Sequence, residues 1–372
     1  MKLTIERAAL LRALNHVQSV VERRNTIPIL SNVLIEAKDG ALSLTATDMD
    51  IAIVERVPAD VATAGATTAP AHTLYDIVRK LPDGAQVDIE TGGESGDRLT
   101  LKSGRSRFQL AALPTDDFPV MSGGDMPHEF QLDAEALRSL IDRTRFAIST
   151  EETRYYLNGI YLHAADGEHE VLRAVATDGH RLARVEIPLP DGANGMPGVI
   201  VPRKTVSELR KLIEETDGAI EIALSETKIR FAFGDAVLTS KLIDGTFPDY
   251  ERVIPSGNDK IMTVDCDDFA EAVDRVSTIA TEKMRAVKMK LDGDQMELSA
   301  SSQENGQAVE EVGIEYGKDP IEIGFNARYL LDIAHQVEGE TAEFVMADAA
   351  SPTIVRDPKD PGALYVLMPM RV

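Results

Sequence analysis

The stretch Thr177-Asp178-Gly179-His180-Arg181-Leu182 ends an apolar run at 171–176 and decides how the rest of the chain is read. The run has the composition of a strand, and Gly179 lets the backbone turn where a side chain would clash. Beyond the turn stand an imidazole, a cation and an apolar anchor. Corresponding stretches lie about 130 residues earlier and later, and they lack this hexapeptide. A motif carried by one copy of a repeat marks the copy that has been specialised.

The repeat itself is written in apolar spacing. An alternating strand with Leu3 and Ile5 inward precedes a helix with Leu10, Leu14, Val17 and Val21 on one face. Steps of four, three and four residues make a helical apolar stripe. Shifted by 127 residues, those positions hold Phe130 and Leu132, then Leu137, Ile141, Thr144 and Ile148. Shifted by 259, they hold Met262 and Val264, then Phe269, Val273, Val276 and Ala280. Only Thr144 breaks the apolar set. Hairpin patterns follow at 33–47, 160–177 and 287–301, turning on Asp39-Gly40, Asp166-Gly167 and Asp292-Gly293.

A second helix then recurs, with Leu74, Ile77 and Leu81 matching Val206, Leu209 and Ile213, and Leu330, Ile333 and Val337. An acid sits in register at Asp76, Glu208 and Asp332. Strands are expected after it at 86–90, 98–102 and 107–113, at 219–224, 228–233 and 237–243, and at 342–347, 353–357 and 364–370. The fold class is therefore α+β: three copies of a two-helix, roughly eight-strand unit whose helices cover one face of antiparallel sheets. Linkers rich in Pro, Gly and Asp at 114–128 and 247–259 give domains 1–123, 124–255 and 256–372.

Composition narrows the class. Of 372 residues, 43% are hydrophobic and 27% charged, which is enough apolar material for ordinary soluble cores. No apolar stretch approaches the ~20 residues of a membrane span, and the charged opening Met1-Lys2-Leu3-Thr4-Ile5-Glu6-Arg7 is unlike a signal peptide. The single cysteine, Cys266, excludes an internal disulfide or multi-cysteine zinc cluster and reads as a small buried residue. A cytoplasmic location is expected, with no metal and no cofactor. A net charge of −23 taken alone argues against nucleic acid. The charge is unevenly spread, however. The six predicted helices (6–24, 72–80, 133–149, 203–216, 267–285 and 326–338) carry roughly 17 Lys and Arg against 16 Asp and Glu. Arg23, Arg24, Arg138, Arg143, Arg203, Lys204, Arg210, Lys211, Arg275 and Lys283 are assigned to polar helix faces, so one surface is expected to be less acidic than the rest.

With Arg154-Tyr155-Tyr156-Leu157-Asn158-Gly159, Val201-Pro202-Arg203-Lys204, Phe247-Pro248-Asp249-Tyr250 and the ending Met368-Pro369-Met370-Arg371-Val372, the hexapeptide makes the whole chain resemble the bacterial DNA sliding clamps, the β subunits of DNA polymerase III. The resemblance implies a head-to-tail homodimer forming a ring around duplex DNA, helices inside and sheets outside. It implies that the ring tethers the replicative polymerase, the clamp loader, other polymerases and repair proteins through short linear peptides. Peptide contacts carry over to Leu157, Thr177, Gly179, His180, Arg181, Leu182, Pro248, Arg252, Val253, Ala350, Pro352, Val366, Leu367, Met368, Pro369, Met370, Arg371 and Val372. Unbranched thioethers suit a cleft that must adapt to several ligands, and the resemblance gives Arg181, Arg252 and Arg371 the polar parts of the peptide. Ala350 and Pro352 match the family pattern more loosely.

DNA contacts carry over to Arg24, Tyr155, Tyr156, Arg203 and Lys204. At two further DNA positions the chain departs from the family: His72 stands for an arginine and Glu151 for a glutamine. Dimer contacts fall on Phe108, Leu110, Thr278 and Ile279, with Thr278 in place of a larger apolar residue. Weak, salt-sensitive, sequence-independent DNA binding is expected, because phosphate contacts carry no sequence information.

Catalytic readings find little support. The chain has no G-x-S-x-G, Walker-type, H-E-x-x-H or G-x-G-x-x-G motif. Asp178 and His180 lack a nucleophile, and Asp48 and Asp50 read as turn acids rather than cation ligands. The alternative function is a three-repeat peptide-binding adaptor that never encircles DNA.

Overall fold

The stripe and the alternation build the elements where they fall. The computed structural model describes residues 1–92, 96–165, 169–281 and 285–371. The Asp166-Gly167 turn, Lys283 and Val372 lie outside the described residues. In the first repeat β1 (Lys2–Glu6) leads into α1 (Arg7–Gln18), then β2 (Asn32–Lys38), β3 (Ala41–Thr47), β4 (Ile51–Pro58), β5 (Asp60–Thr63), β6 (Gly65–Pro70), α2 (Ala71–Lys80), β7 (Gln86–Gly92), β8 (Arg98–Ser103) and β9 (Ser106–Ala111). The second has β10 (His128–Asp133), α3 (Ala134–Asp142), β11 (Gly159–Ala165), β12 (Val171–Thr177), β13 (Arg181–Pro188), β14 (Val199–Pro202), α4 (Arg203–Glu214), β15 (Ala219–Leu224), β16 (Lys228–Phe233) and β17 (Ala236–Lys241). The third has β18 (Lys260–Asp265), α5 (Cys266–Ser277), β19 (Ala286–Asp292), β20 (Gln295–Ser302), β21 (Gly306–Gly313), β22 (Glu315–Tyr316), β23 (Ile321–Asn326), α6 (Ala327–Ala334), β24 (Thr341–Met346), β25 (Thr353–Arg356) and β26 (Ala363–Leu367).

The residues in register are buried in register. Leu10, Leu14 and Val17, then Leu137, Ile141 and Thr144, then Phe269, Val273 and Val276 are all core. Thr144 earns its place by satisfying itself: its hydroxyl donates back to the Leu140 carbonyl at 2.6 Å. That back-bond competes with the helix ladder, and α3 ends at Asp142 rather than running to 149. The first helix is likewise shorter than 6–24, and its end is covered by Ser19 N donating to the His16 carbonyl. At the Asp39-Gly40 turn both residues have positive φ, 51° and 71°, as a two-residue hairpin requires. Cys266 is buried at the start of α5, and burial pushes its thiol up to about 11.

Contacts divide the chain into two compact units, residues 1–137, 190–197 and 204–242, and residues 138–189, 198–203 and 243–372. Each unit contains one large antiparallel sheet that crosses a repeat boundary. In the first unit its order is β10-β15-β16-β17-β4-β3-β2-β6, and the boundary is the β17–β4 ladder. In the second it is β14-β11-β12-β13-β26-β25-β24-β18-β22, joined at β13–β26. Smaller sheets complete the units: β5-β1-β7-β8-β9 in the first and β21-β20-β19-β23 in the second.

One polar cluster is buried where α1 meets its neighbours in the first unit. His16 Nδ1 lies 2.5 Å from Glu55 Oε2, and its Nε2 makes a less well-directed contact of 3.3 Å with Glu215 Oε2, which also accepts from Arg12. Arg56 and Asp235 line the same cavity. Burial works against the imidazolium, but the two carboxylates outweigh it and hold the His16 pKa above its ordinary value. A raised folded-state pKa stabilises the fold below about pH 6.5 and loses that stabilisation as pH climbs through the raised value. Urea denaturation between about pH 6 and pH 9 should therefore show stability falling, with a steepest slope of at most about 1.4 kcal/mol per pH unit from this group. His16→Gln should flatten the slope.

Candidate functional site

The hexapeptide turn lies in the second unit and is made by its own side chains. Thr177 Oγ1 donates to the Arg181 carbonyl at 2.7 Å and accepts from Gly179 N at 3.1 Å. Asp178 Oδ1 accepts from His180 N and Arg181 N at 2.9 and 3.1 Å. Gly179 has φ of 88°, and a Cβ there would come within 2.5 Å of an Arg154 guanidinium nitrogen. Arg154 is held over the turn by two bonds to Glu151, of 2.8 and 2.7 Å. These bonds keep the Glu151 carboxyl below the usual carboxylate range.

Beside the turn lies an apolar floor of Leu157, Val175, Leu182, Ile200, Phe247, Tyr250 and Val366, backed by Tyr156, Tyr161, Ile243, Ile254 and Leu364. The β13–β26 ladder sets Leu182 opposite Val366 and Arg181 opposite Leu367. Met368 N then donates to the His180 carbonyl at 2.9 Å, and β25 brings Thr353 opposite Leu367. The strand was expected to run to 370 but stops at Leu367. Pro369 cannot donate to the ladder, and Met370 N bonds instead to the Gly324 carbonyl. His180, Pro248, Arg252, Val253, Ala350, Met368 and Arg371 are exposed, while Thr177, Pro352, Pro369 and Met370 are half-buried. Val253 and Met368, at 50% and 39% exposure, give the site apolar surface that folding has left open to water.

Two of the expected peptide contacts do not join that surface. Strand alternation sends Arg181 and Leu367 to the face opposite Leu182 and Val366. Arg181 is 7% exposed, and its guanidinium is consumed within the protein by Asp178 Oδ2 at 3.1 Å, the Phe146 carbonyl at 2.7 Å and Asp332. It therefore has no donor turned to a peptide, contrary to the expectation that it would hold polar groups. Arg252, by contrast, is exposed and paired with Asp249 at 2.7 Å. Both Asp178 oxygens are likewise engaged in shaping the turn.

The DNA candidates are unlike one another. In the first unit Arg24 is exposed after α1. His72 turns inward, with Nδ1 2.7 Å from Gln18 Oε1 and Nε2 2.9 Å from the Val21 carbonyl, and pins α2 to the end of α1. Lys204 bonds Asp48 at 2.6 Å, Glu22 at 3.2 Å and the Val20 carbonyl. Burial lowers its pKa, but these acids outweigh that and hold it above the usual value. In the second unit Tyr155 and Tyr156 stand on a 3-10 turn, edge to face at 5.7 Å, with Tyr155 53% exposed. Glu151 and Arg203 are exposed. The assignment of Arg143 to a solvent face is corrected. It is buried, donating to Asp360 at 2.6 Å and to the Tyr365 hydroxyl.

Phe108 and Leu110 are half-buried on β9, an edge of the five-stranded sheet. Thr278 caps α5 and Ile279 follows it. The sequence reading missed β21, an edge of the four-stranded sheet that carries exposed Val309. Arg275 on α5 bonds Glu310 of that strand at 2.7 Å, which keeps the Glu310 carboxyl low.

Solved structures similar to this chain include bacterial sliding clamps. A Caulobacter crescentus beta sliding clamp superposes with a TM-score of 0.98 at 59% identity, covering 100% of this chain and 99% of that one. A clamp from Bartonella birtlesii bound to griselimycin gives 0.97 at 51% identity, with full coverage of both. The beta sliding clamp of Escherichia coli K12 is 39% identical over the full length of both chains. The N-terminal, central and C-terminal domains of the DNA polymerase III beta subunit match residues 1–122, 131–249 and 251–371. The chain belongs to the DNA polymerase III beta subunit family, the beta sliding clamps of replication.

Gly179 lies in the left-handed region and a Cβ there would also meet the Arg154 guanidinium, so a side chain is disfavoured on both counts. Gly179→Ala is expected to cost about 1 kcal/mol in urea denaturation. It should also dislodge Arg154, so an NMR titration should find the Glu151 pKa moved up toward the ordinary carboxylate value.

Proposed function

We propose that this clamp closes head to tail into a homodimeric ring around duplex DNA, helices inward, and acts there without catalysis as a mobile tether. The domains would run 1–123, 124–255 and 256–372, and the working compartment would be the cytoplasm. Among the described residues no helix is long and apolar enough to cross a membrane. The observation that carries the ring is a pair of unused strand edges, β9 in one unit and β21 in the other. Such edges invite pairing with another chain, and a head-to-tail contact closes if the rotation permits. Their charges are complementary: Arg105 and Arg107 are exposed at β9, and Glu304 and Glu311 at β21.

A closed ring needs little affinity for DNA, because topology does the holding. Phosphate contacts from Arg24, Arg203, Lys204, Tyr155 and Tyr156 would suffice, and they would be weak and salt-sensitive. Partners would dock short peptides of the replicative polymerase, clamp loader and repair proteins against the apolar floor. The same cleft would take griselimycin, which a related clamp binds.

Light scattering should give a solution mass near twice that of the chain, and Phe108→Asp with Val309→Asp, which sets like charges on the two edges, should give monomer. Clamps loaded on nicked circular DNA should stay and be lost on linearisation; retention after linearisation would overturn the ring. Deleting the final five residues, from Met368 onward, should abolish griselimycin binding in calorimetry while the thermal transition survives.

A further inference from the structure

The turn at Thr177 has a twin, and comparing the two assigns a role to the second helix of the third repeat. In the first repeat Thr47 Oγ1 donates to the Ile51 carbonyl at 2.8 Å and accepts from Met49 N at 3.0 Å. Asp48 Oδ1 accepts from Asp50 N and Ile51 N at 2.9 and 2.8 Å. Met49 takes φ of 79° where Gly179 has 88°. Lys241 N donates to the Asp50 carbonyl at 2.8 Å, as Met368 N does to that of His180. The backbone device is therefore the same, although the sequences share only Thr-Asp.

Each turn is clasped by the second helix of the following repeat, by different chemistry. At the first turn Lys204, on α4, reaches Asp48 Oδ2 directly at 2.6 Å. At the second, Asp178 Oδ2 is taken by Arg181, whose far nitrogen is held by Asp332 on α6. The Arg181 guanidinium also lies over the Tyr329 ring at 4.2 Å, and His180 stacks on the other end of that contact with ring centroids 6.4 Å apart. Arg328 Nε sits 3.8 Å from the same Asp332 carboxylate, leaving Arg181 the closer partner.

We propose that Asp332 and Tyr329 are positioning residues of the peptide cleft. They touch no ligand but fix Arg181, and through it the Gly179–His180 rim and the main-chain carbonyl to which Met368 is tied. The inference rests on the cleft reading above and adds α6 to it. A buried guanidinium that loses one of its two carboxylate partners, here Asp332 beside Asp178, loses part of its charge compensation, and charge-assisted bonds are the strong ones in such a set. The rim, being the part of the network nearest solvent, is where the loss is relieved.

The test uses the full dimeric chain and griselimycin as the probe. Asp332→Asn should weaken griselimycin about tenfold or more, a change of about 1.4 kcal/mol or more, and should speed amide exchange across 177–182. Asp332→Glu should recover part of both. Asp48→Asn, which removes the carboxylate at the twin turn, should leave griselimycin affinity and exchange at 177–182 unchanged even if it lowers the melting temperature equally. Equal loss of affinity in the Asn variants at 48 and 332 would assign the effect to general destabilisation and overturn the proposal. So would normal affinity and exchange in Asp332→Asn. If that variant does not fold, Tyr329→Leu, which removes only the ring under Arg181, must reproduce the weaker binding or the proposal falls. Failure of the unmodified chain to bind griselimycin would overturn the cleft reading and this one with it.

Discussion

The antiparallel ladder between one repeat and the next is the constraint on which the other features depend. β17 pairs with β4 from Ala236 opposite Glu55 to Ser240 opposite Ile51, and β13 pairs with β26 from Arg181 opposite Leu367 to Val185 opposite Ala363. Each ladder satisfies two strand edges that would otherwise stay open to association with other chains. It also fixes a turn at the start of one strand against the end of the next repeat's last strand. The cleft follows from this register, because Leu182 and Val366 can face the same floor only when they are opposite one another.

Charge works differently in the two settings. On the helices several basic residues that look solvated in sequence are occupied: Arg143 with Asp360, Lys211 with Glu208, Arg275 with Glu271 and Glu310. Such pairing occupies part of the chain's base and leaves the surplus of acid unchanged. The cations left most open include Arg24 and Arg252.

Much of the fold was legible because half-buried strands and helices advertise their period. The six helices start within about a residue of where spacing puts them, although α1, α3 and α5 end short of their expected ranges, and most of the core positions at both offsets are buried. Among the strands given no range, β4, β13 and β21 are those that follow the turns. β4 and β13 open with three buried residues in succession, so the alternating signal is absent where it is most needed. The cleft was legible as a set of residues but not in its orientation. That Arg181 and Leu182 are adjacent in a strand was the available signal that they could not both face a ligand. The twin turn at Thr47 escaped notice because Met49 stands where glycine was sought, and side-chain hydrogen bonds rather than a glycine impose its shape.

The acid shared by the three second helices gives the chain a direction. Glu208 accepts from Ser19 of the preceding repeat, and Asp332 from Arg181 of the preceding repeat. Asp76 pairs with Arg79 on its own helix. The second and third modules therefore each hook onto the one upstream. Tandem duplication of such a unit yields an array with a front and a back, so any two faces brought together at its ends are of different kinds.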